Sequence, residues 1–444
     1  AVANIGRMLE AAGFQQLQEK EEWKLEKGGR YYTERNDSSV IAFVIPEKEV
    51  GIRGFHMAAA HSDSPWFKIK EKPELTVEEH YLRLNTEKYG GMILSTWLDR
   101  PLSVAGRLAV KNGNGIEGRL VNIDRDLCVI PNVAIHMNRE MNKGVEYNPQ
   151  VDLLPLLADV SFDEYDAHTT YDAQTASENA EEQPEAVEKP TLVALAAETA
   201  GVDAETILGE DLFLYTRQEG KMIGAKGEFV LSPRLDDLQC AFTSMKGFLA
   251  AENEQNINVY ACFDNEEVGS GTKQGAASTF LYDVLWRMNK ALGKNEEEFY
   301  RAVAGSFMLS CDNAHAVHPN YRQKTDATNC VYMNDGIVIK SHAGQKYTSD
   351  AVSVAVFRMI CEKAGVPLQY FANRSDEAGG STLGNIAMTQ VSMNTVDIGL
   401  PQLAMHSAYE TAGVKDTEYM VKAVETFYAS HIQADSDGNY QINQ

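Results

Sequence analysis

The sequence predicts an α/β sandwich built on a substantially parallel sheet and interrupted by a β-rich insertion. Two patterns carry that expectation. From Ser232 onward, strand-like apolar runs (NINVYACFD, AGSFMLSCD) alternate with helical stretches (ASTFLYDVLWRMNKAL, SDAVSVAVFRMICEKAG, TEYMVKAVETFYASHI). Parallel strands need such helical crossovers. Before that, HYLRLNTEKYGGMILSTWLDRPLSVAGRLAVKNGNGIEGRLVNI is dense in β-formers and punctuated by GG and NGNG turns.

Taken in order, residues 1–13 show apolar spacing near 3.6 and stop at Gly13, the pattern of a helix with a C-terminal glycine. GGRYYTERNDSSVIAFVIP reads as a hairpin turning at NDSS, and HMAAAHSD as a buried strand running into His61. The β-rich stretch follows. The acidic, weakly apolar segment 163–190 reads as a mobile surface insertion rather than a charged functional tail. TLVALAAETAGVDAETIL then resumes as helix and DLFLYTRQE as strand. The economical division is one α/β domain from residues 1–75 and 223–444, split by a β-rich domain at 76–222.

The formal charge of −24, from 40 Lys+Arg against 64 Asp+Glu, repels phosphate backbones and anionic membranes, which argues against both as partners. Any preference for acidic substrates must then come from a local cation. None of the six cysteines forms a CxxC pair, and most sit in apolar runs, so reduced buried thiols are expected. No apolar stretch approaches the ~18–20 residues of a membrane span, and no signal peptide is recognisable. Cytoplasmic residence is the expectation. The chain opens at Ala1 rather than Met, inside a helical pattern, which leaves room for residues upstream.

Six residues read together as one metal site: His61, Asp236, Glu266, Glu267, Asp312 and His406. Singly, each has a plainer reading. HxD suits a hydrogen-bonded buried histidine, EE a solvated turn, and Asp at a helix start an N-cap. Jointly, most of them follow apolar runs, as a pocket at one sheet edge requires. Two histidines and three carboxylates suit two Zn²⁺ or similar ions, with Asp236 able to bridge them. Asp63, two residues beyond His61, can accept the other imidazole N–H. Of the adjacent glutamates, one can ligate while Glu266 takes a proton from a water acidified towards a pKa of ~7. That chemistry is hydrolysis of a peptide or amide bond.

With KLEKGGRYYTERNDSSVIAF, AAAHSDSPWFKIK, YGGMILSTWLDRPLSVAGRLAVK, IPNVAIHMNR, SPRLDDLQ, FDNEEVGSGTKQGA, DNAHAVHPNY, GGSTLG and DIGLPQLAMHSAYE in the same order, the sequence resembles the aspartyl aminopeptidase and vacuolar aminopeptidase I family of co-catalytic zinc metallopeptidases. The resemblance implies a three-layer metallopeptidase sandwich with a mixed sheet and an inserted β-rich dimerisation or lid domain. It implies His61, Asp236, Glu267, Asp312 and His406 as ligands of two divalent ions, zinc with cobalt or manganese as alternatives. Glu266 would be the general base and Asp63 would orient His61. It places His136 in a neighbouring subunit's site, where composition alone reads a packed strand or helix-end residue, and puts His315 on the substrate side. Short peptides would be the substrates, and the assembly a tetrahedral dodecamer built from dimers.

One departure concerns specificity. The family's acidic preference looks linked to a lysine shortly before a QxY segment, where SHAGQKY has Gly344. Lys346 and Arg374 are the candidate replacement cations, Gly380 of GGSTLG is a further candidate substrate contact, and acidic and neutral or apolar N-terminal residues all stay open. A dizinc deacylase or carboxypeptidase and a silent shell-forming protein are the competing readings.

Overall fold

The computed structural model of the chain describes residues 1–48, 54–160, 191–252, 255–436 and 438–443. The acidic segment 163–190 lies outside them. The chain divides into two compact units, Ala1–Ser64 with Glu219–Gln444, and Pro65–Gln218.

The larger unit is built on a nine-stranded mixed sheet. Its centre is the strand Phe55–His61, parallel to both Ile257–Phe263 and Phe307–Cys311. Asn394–Gly399 continues the parallel set beside Phe307–Cys311. The hairpin Arg30–Arg35 and Ser39–Val44 adds antiparallel strands on one side, turning through Asn36 and Asp37 at φ 59° and 51°. Asn and Asp tolerate that left-handed conformation, as an NDSS turn requires.

Neighbouring residues of one strand pack into opposite cores. Ala58 and Ala60 join one cluster, with Met245, Phe357 and Phe427 from the helices Leu235–Ala250, Ala351–Ala364 and Val414–Ala429. Met57 and Ala59 join the other, with Phe280, Leu285 and Phe299 from the helices Phe280–Ala291 and Glu296–Ala304. Side chains alternate across a strand, so a sheet covered on both faces must be apolar at every position. The seven residues of Phe55–His61 are accordingly all buried. The result is a three-layer sandwich.

The smaller unit holds a six-stranded antiparallel sheet. Two of its strands, Trp66–Val77 and Ile207–Thr216, pair directly, with Lys68 opposite Phe213. That pairing draws the chain into this unit from Pro65, earlier than the sequence division at 75/76. It also ends the helix expected through ETIL. The helix stops at Ala200, Gly201 takes the left-handed cap position at φ 65°, and the strand begins at Ile207. All six cysteines are free thiols.

Candidate metal centre

The register of the central strands brings the site residues to one edge of the sheet. His61 stands opposite Phe263, and Ala59 opposite Ser310. The chain therefore leaves three parallel strands at nearly the same level, and Asp63, Asp264–Glu267 and Asp312 emerge together. This carboxyl edge is where α/β folds hold their ligands.

Asp236 lies at the centre. Its Oδ1 is 3.6 Å from Nε2 of His61 and its Oδ2 is 3.4 Å from Nε2 of His406. The same His406 nitrogen is 3.4 Å from Oε2 of Glu267. The donor atoms fall into overlapping sets, each within 4.8 Å: His61, Asp236, Asp237 and Asp312; His61, Glu266 and Glu267; Asp236, Glu267 and His406. With Asn313, His315, Lys340 and Gly380, most of these residues line a cavity of about 260 Å³.

The family model for aminopeptidase I zinc metalloprotease (M18) matches residues 1–428. The chain belongs to the M18 family of zinc aminopeptidases. A curated relative from Clostridium novyi, "Probable M18 family aminopeptidase 2", is 46% identical over 430 residues, covering 96% of this chain and 94% of its own. Among solved structures, the chain in a complex of Ape4 and Nbr1 is 36% identical, with a TM-score of 0.87 over 97% of this chain and 82% of that one. The S. cerevisiae mApe1 dodecamer is 25% identical, with a TM-score of 0.78 over 96% and 92%.

The donors of this M18 chain suit a cation. Asp236 Oδ1, Asp237 Oδ1 and Glu267 Oε1 are buried with no hydrogen-bond partner. Burial first, then neighbouring carboxylates, pushes Glu266 up to about 7 and Glu267 to about 9. Asp237 and Asp312 are raised for the same reasons. Only Asp236 is lowered, because His406 and His61 together outweigh its burial. Contact with Asp236 likewise lifts His61 well above its usual value against its own burial. Carboxylates crowded in a low dielectric are costly unless positive charge sits among them. Oxygen and imidazole donors without a thiolate are a set that Zn²⁺ accepts.

Backbone contacts hold the donors. Both oxygens of Asp63 accept N–H groups, from Glu266 at 3.1 Å and Glu267 at 3.2 Å. The Nδ1 edge of His61 meets the Asp63 carbonyl at 3.1 Å and its Oδ1 at 3.3 Å. Asp63 thus contacts the histidine and also pins the two-glutamate turn. Asp237 Oδ2 accepts the N–H of His61 at 3.1 Å. The helix Leu235–Ala250 has no side-chain cap, so Asp236 and Asp237 do not serve as one.

Two residues of the centre have no counterpart in the sequence reading. Glu410, only 2% exposed, accepts the N–H of Asp236 at 3.0 Å and of His406 at 2.7 Å. The buried Lys340 donates to the carbonyls of Asp312 at 2.9 Å and Asn313 at 3.3 Å, with its Nζ 3.7 Å from the Asp312 carboxylate. A glutamate four residues beyond His406 and a lysine closing an apolar strand were the only hints. Lys340, not Lys346, is the cation lining the cavity. Lys346 is exposed and donates to the Gly379 carbonyl at 2.7 Å, and Arg374 pairs with Asp376 at 2.6 Å. His315 lines the cavity, its ring centroid 6.1 Å from that of Phe371. His136 is exposed in a turn of the smaller unit, not packed in a strand or at a helix end.

Proposed function

We propose that this zinc aminopeptidase uses two ions held about Asp236 to remove the N-terminal residue of short peptides, with Glu266 as its base. The observation that carries the proposal is the division of Asp236. One oxygen faces His61 and the other faces His406, so one carboxylate belongs to two donor sets. His61, Asp236 and Asp312 would hold one ion, and Asp236, Glu267 and His406 the other. Zinc is the expected metal, with cobalt or manganese as alternatives. Bound there, divalent ions polarise a scissile carbonyl and acidify water.

Glu266 lines the cavity beside the donors. A carboxylate at that place can take a proton from the attacking water and return it to the leaving amine. Asp63 fixes the Glu266 backbone and so aims that carboxylate. Lys340, held by the carbonyls of Asp312 and Asn313 and by the Asp312 carboxylate, lines the cavity together with His315 and Gly380.

The smaller unit is the candidate dimerisation or lid domain. Its irregular stretch after Pro131 exposes Val133, Ile135 and Met137, the last at 82%. His136 sits among them and is the residue offered to a neighbour's site. A tetrahedral dodecamer built from dimers is the proposed assembly, supported by the dodecameric mApe1 relative. No helix among the described residues is long and apolar enough to cross a membrane. Cytoplasmic residence remains part of the proposal.

Glu266→Gln tests the mechanism. It should retain zinc while losing about 10²–10⁴ in turnover, the usual weight of a positioned base. Near-normal hydrolysis of aminoacyl arylamides by that variant would remove Glu266 from the role. Faster cleavage of N-acylated than of free-amine substrates would favour a deacylase. A panel of aminoacyl substrates with each metal assigns the preferred residue.

A further inference from the structure

Beyond the metal cavity lies a second one, of about 310 Å³. The two share His315, Phe371 and Met405 in their linings. The strand Ala314–His315 runs along this junction as the last strand of a five-stranded sheet.

The hydrogen bonds of that edge strand alternate. Ala314 and Ala316 turn inward and donate to the carbonyls of Leu400 and Gln402, both at 2.9 Å. In a parallel ladder the residue between them points its N–H and C=O the other way. On that outer side Asn313 is closed by Lys340, which donates to its carbonyl at 3.3 Å. Val317 is closed by the carbonyl of Val331, at 2.8 Å. Between them stands His315, whose N–H and C=O meet no partner among the described residues. The residue itself is exposed. The edge is thus sealed on both sides of a one-residue window that opens where the two cavities meet.

An open strand edge beside a cavity offers a donor and an acceptor at peptide spacing. An extended peptide is the ligand class that answers both at once. The charges around the second cavity are largely spent on each other. Lys324 pairs with Glu377 at 2.6 Å, Asp326 caps the N–H groups of Thr328 and Asn329, and Arg374 is held by Asp376. A neutral backbone suits such a lining better than an ionic group.

We infer that the His315 backbone and the second cavity bind the peptide chain downstream of the scissile bond, pairing with its amides as an added strand. This rests on the aminopeptidase reading. It assigns recognition of residues beyond the first to backbone pairing rather than to side-chain pockets.

Three substrates with one first residue test it on the zinc-loaded wild-type enzyme. They are an aminoacyl p-nitroanilide, a tripeptide, and that tripeptide N-methylated at the amide between its second and third residues. Methylation removes the donor and thickens the strand, so KM should rise about tenfold with kcat within about twofold, the scale of one or two net hydrogen bonds. Ala378→Phe, which narrows the second cavity away from the metal donors, should raise KM for the tripeptide about fivefold or more and leave the p-nitroanilide unchanged. Equal KM for the two tripeptides overturns the window. An equal effect of Ala378→Phe on tripeptide and p-nitroanilide, or none on either, overturns the cavity assignment. If the enzyme cleaves none of the three yet hydrolyses N-acylated peptides, the aminopeptidase reading fails first and takes this inference with it.

Discussion

Glu410 makes the sharpest test of how the centre is assembled. Its two oxygens hold the backbone of two proposed ligands from distant segments, Asp236 at 3.0 Å and His406 at 2.7 Å. A hydrogen bond contributes about 0.5–1.5 kcal/mol net, and leaving its buried partner unsatisfied costs about 1–3 kcal/mol. Glu410→Gln keeps one acceptor and turns an amide N–H₂ toward the other N–H, so at least one bond becomes a clash of donors. His406 also sits at φ 66°, a left-handed conformation that a non-glycine residue holds only when its surroundings impose it. Loss of the clamp should let His406 relax away from Asp236. Partners of this kind typically govern zinc affinity by about 10–100-fold. Competition for zinc against a chromophoric chelator reads that loss directly, without reference to turnover. Circular dichroism and thermal melting of the metal-free variant report whether the fold is intact. Zinc affinity within about twofold of wild type, in a folded variant, would refute the reasoning.

Three further outcomes are expected. Removing metal with a chelator leaves the buried oxygens of Asp236, Asp237 and Glu267 without a counter-charge. At about 100 times its Kd a ligand stabilises by about 2.7 kcal/mol per site, so restoring zinc should raise Tm by several degrees, and an unchanged Tm contradicts a buried metal centre. Gly399 has room for no side chain, since an added Cβ would lie 1.8 Å from the carbonyl oxygen of Asp312. Gly399→Ala should displace Asp312 and lower bound zinc at least about tenfold by the ligand-orientation argument, which elemental analysis after dialysis checks. Burial, aided by His431, pushes the His56 pKa down to about 4 from 6.5. A histidine kept neutral by folding supports stability fully above its unfolded pKa and loses it as pH falls from about 6.5 towards 4, by about 3 kcal/mol in all. In metal-free protein, His56→Gln should flatten the urea midpoint across that window, and an unaltered pH slope argues against His56 as a source of acid sensitivity.

The elements were legible in the sequence because their signals are local. The NDSS turn, the continuous apolar run of HMAAAH and the alternation of strand and helix after Ser232 each follow from neighbours a few residues apart. Where an element depended on a distant partner, the reading slipped. ETIL looked helical until Ile207–Thr216 paired with Leu102–Asn112 and with Trp66–Val77, and the same pairing moved the domain boundary to Pro65. The lysine of the cavity was likewise not marked locally: Lys340 reaches it from the end of a buried strand.

What the sequence determined by itself was the inventory: the candidate imidazoles and carboxylates, the elements that end at them, and a net charge of −24. These are properties of residue type and short-range pattern. What only the tertiary structure decided was the wiring. Asp63 pins the glutamate turn, Glu410 ties Asp236 to His406, and His315 is left open between two sealed neighbours. Each of those contacts is made to or by backbone amides, which every residue carries, and those of Glu410 to Asp236 and of Asp63 to the glutamate turn span 170 or more positions. Backbone amides carry no residue-type signature, so these contacts are fixed only once the chain is folded.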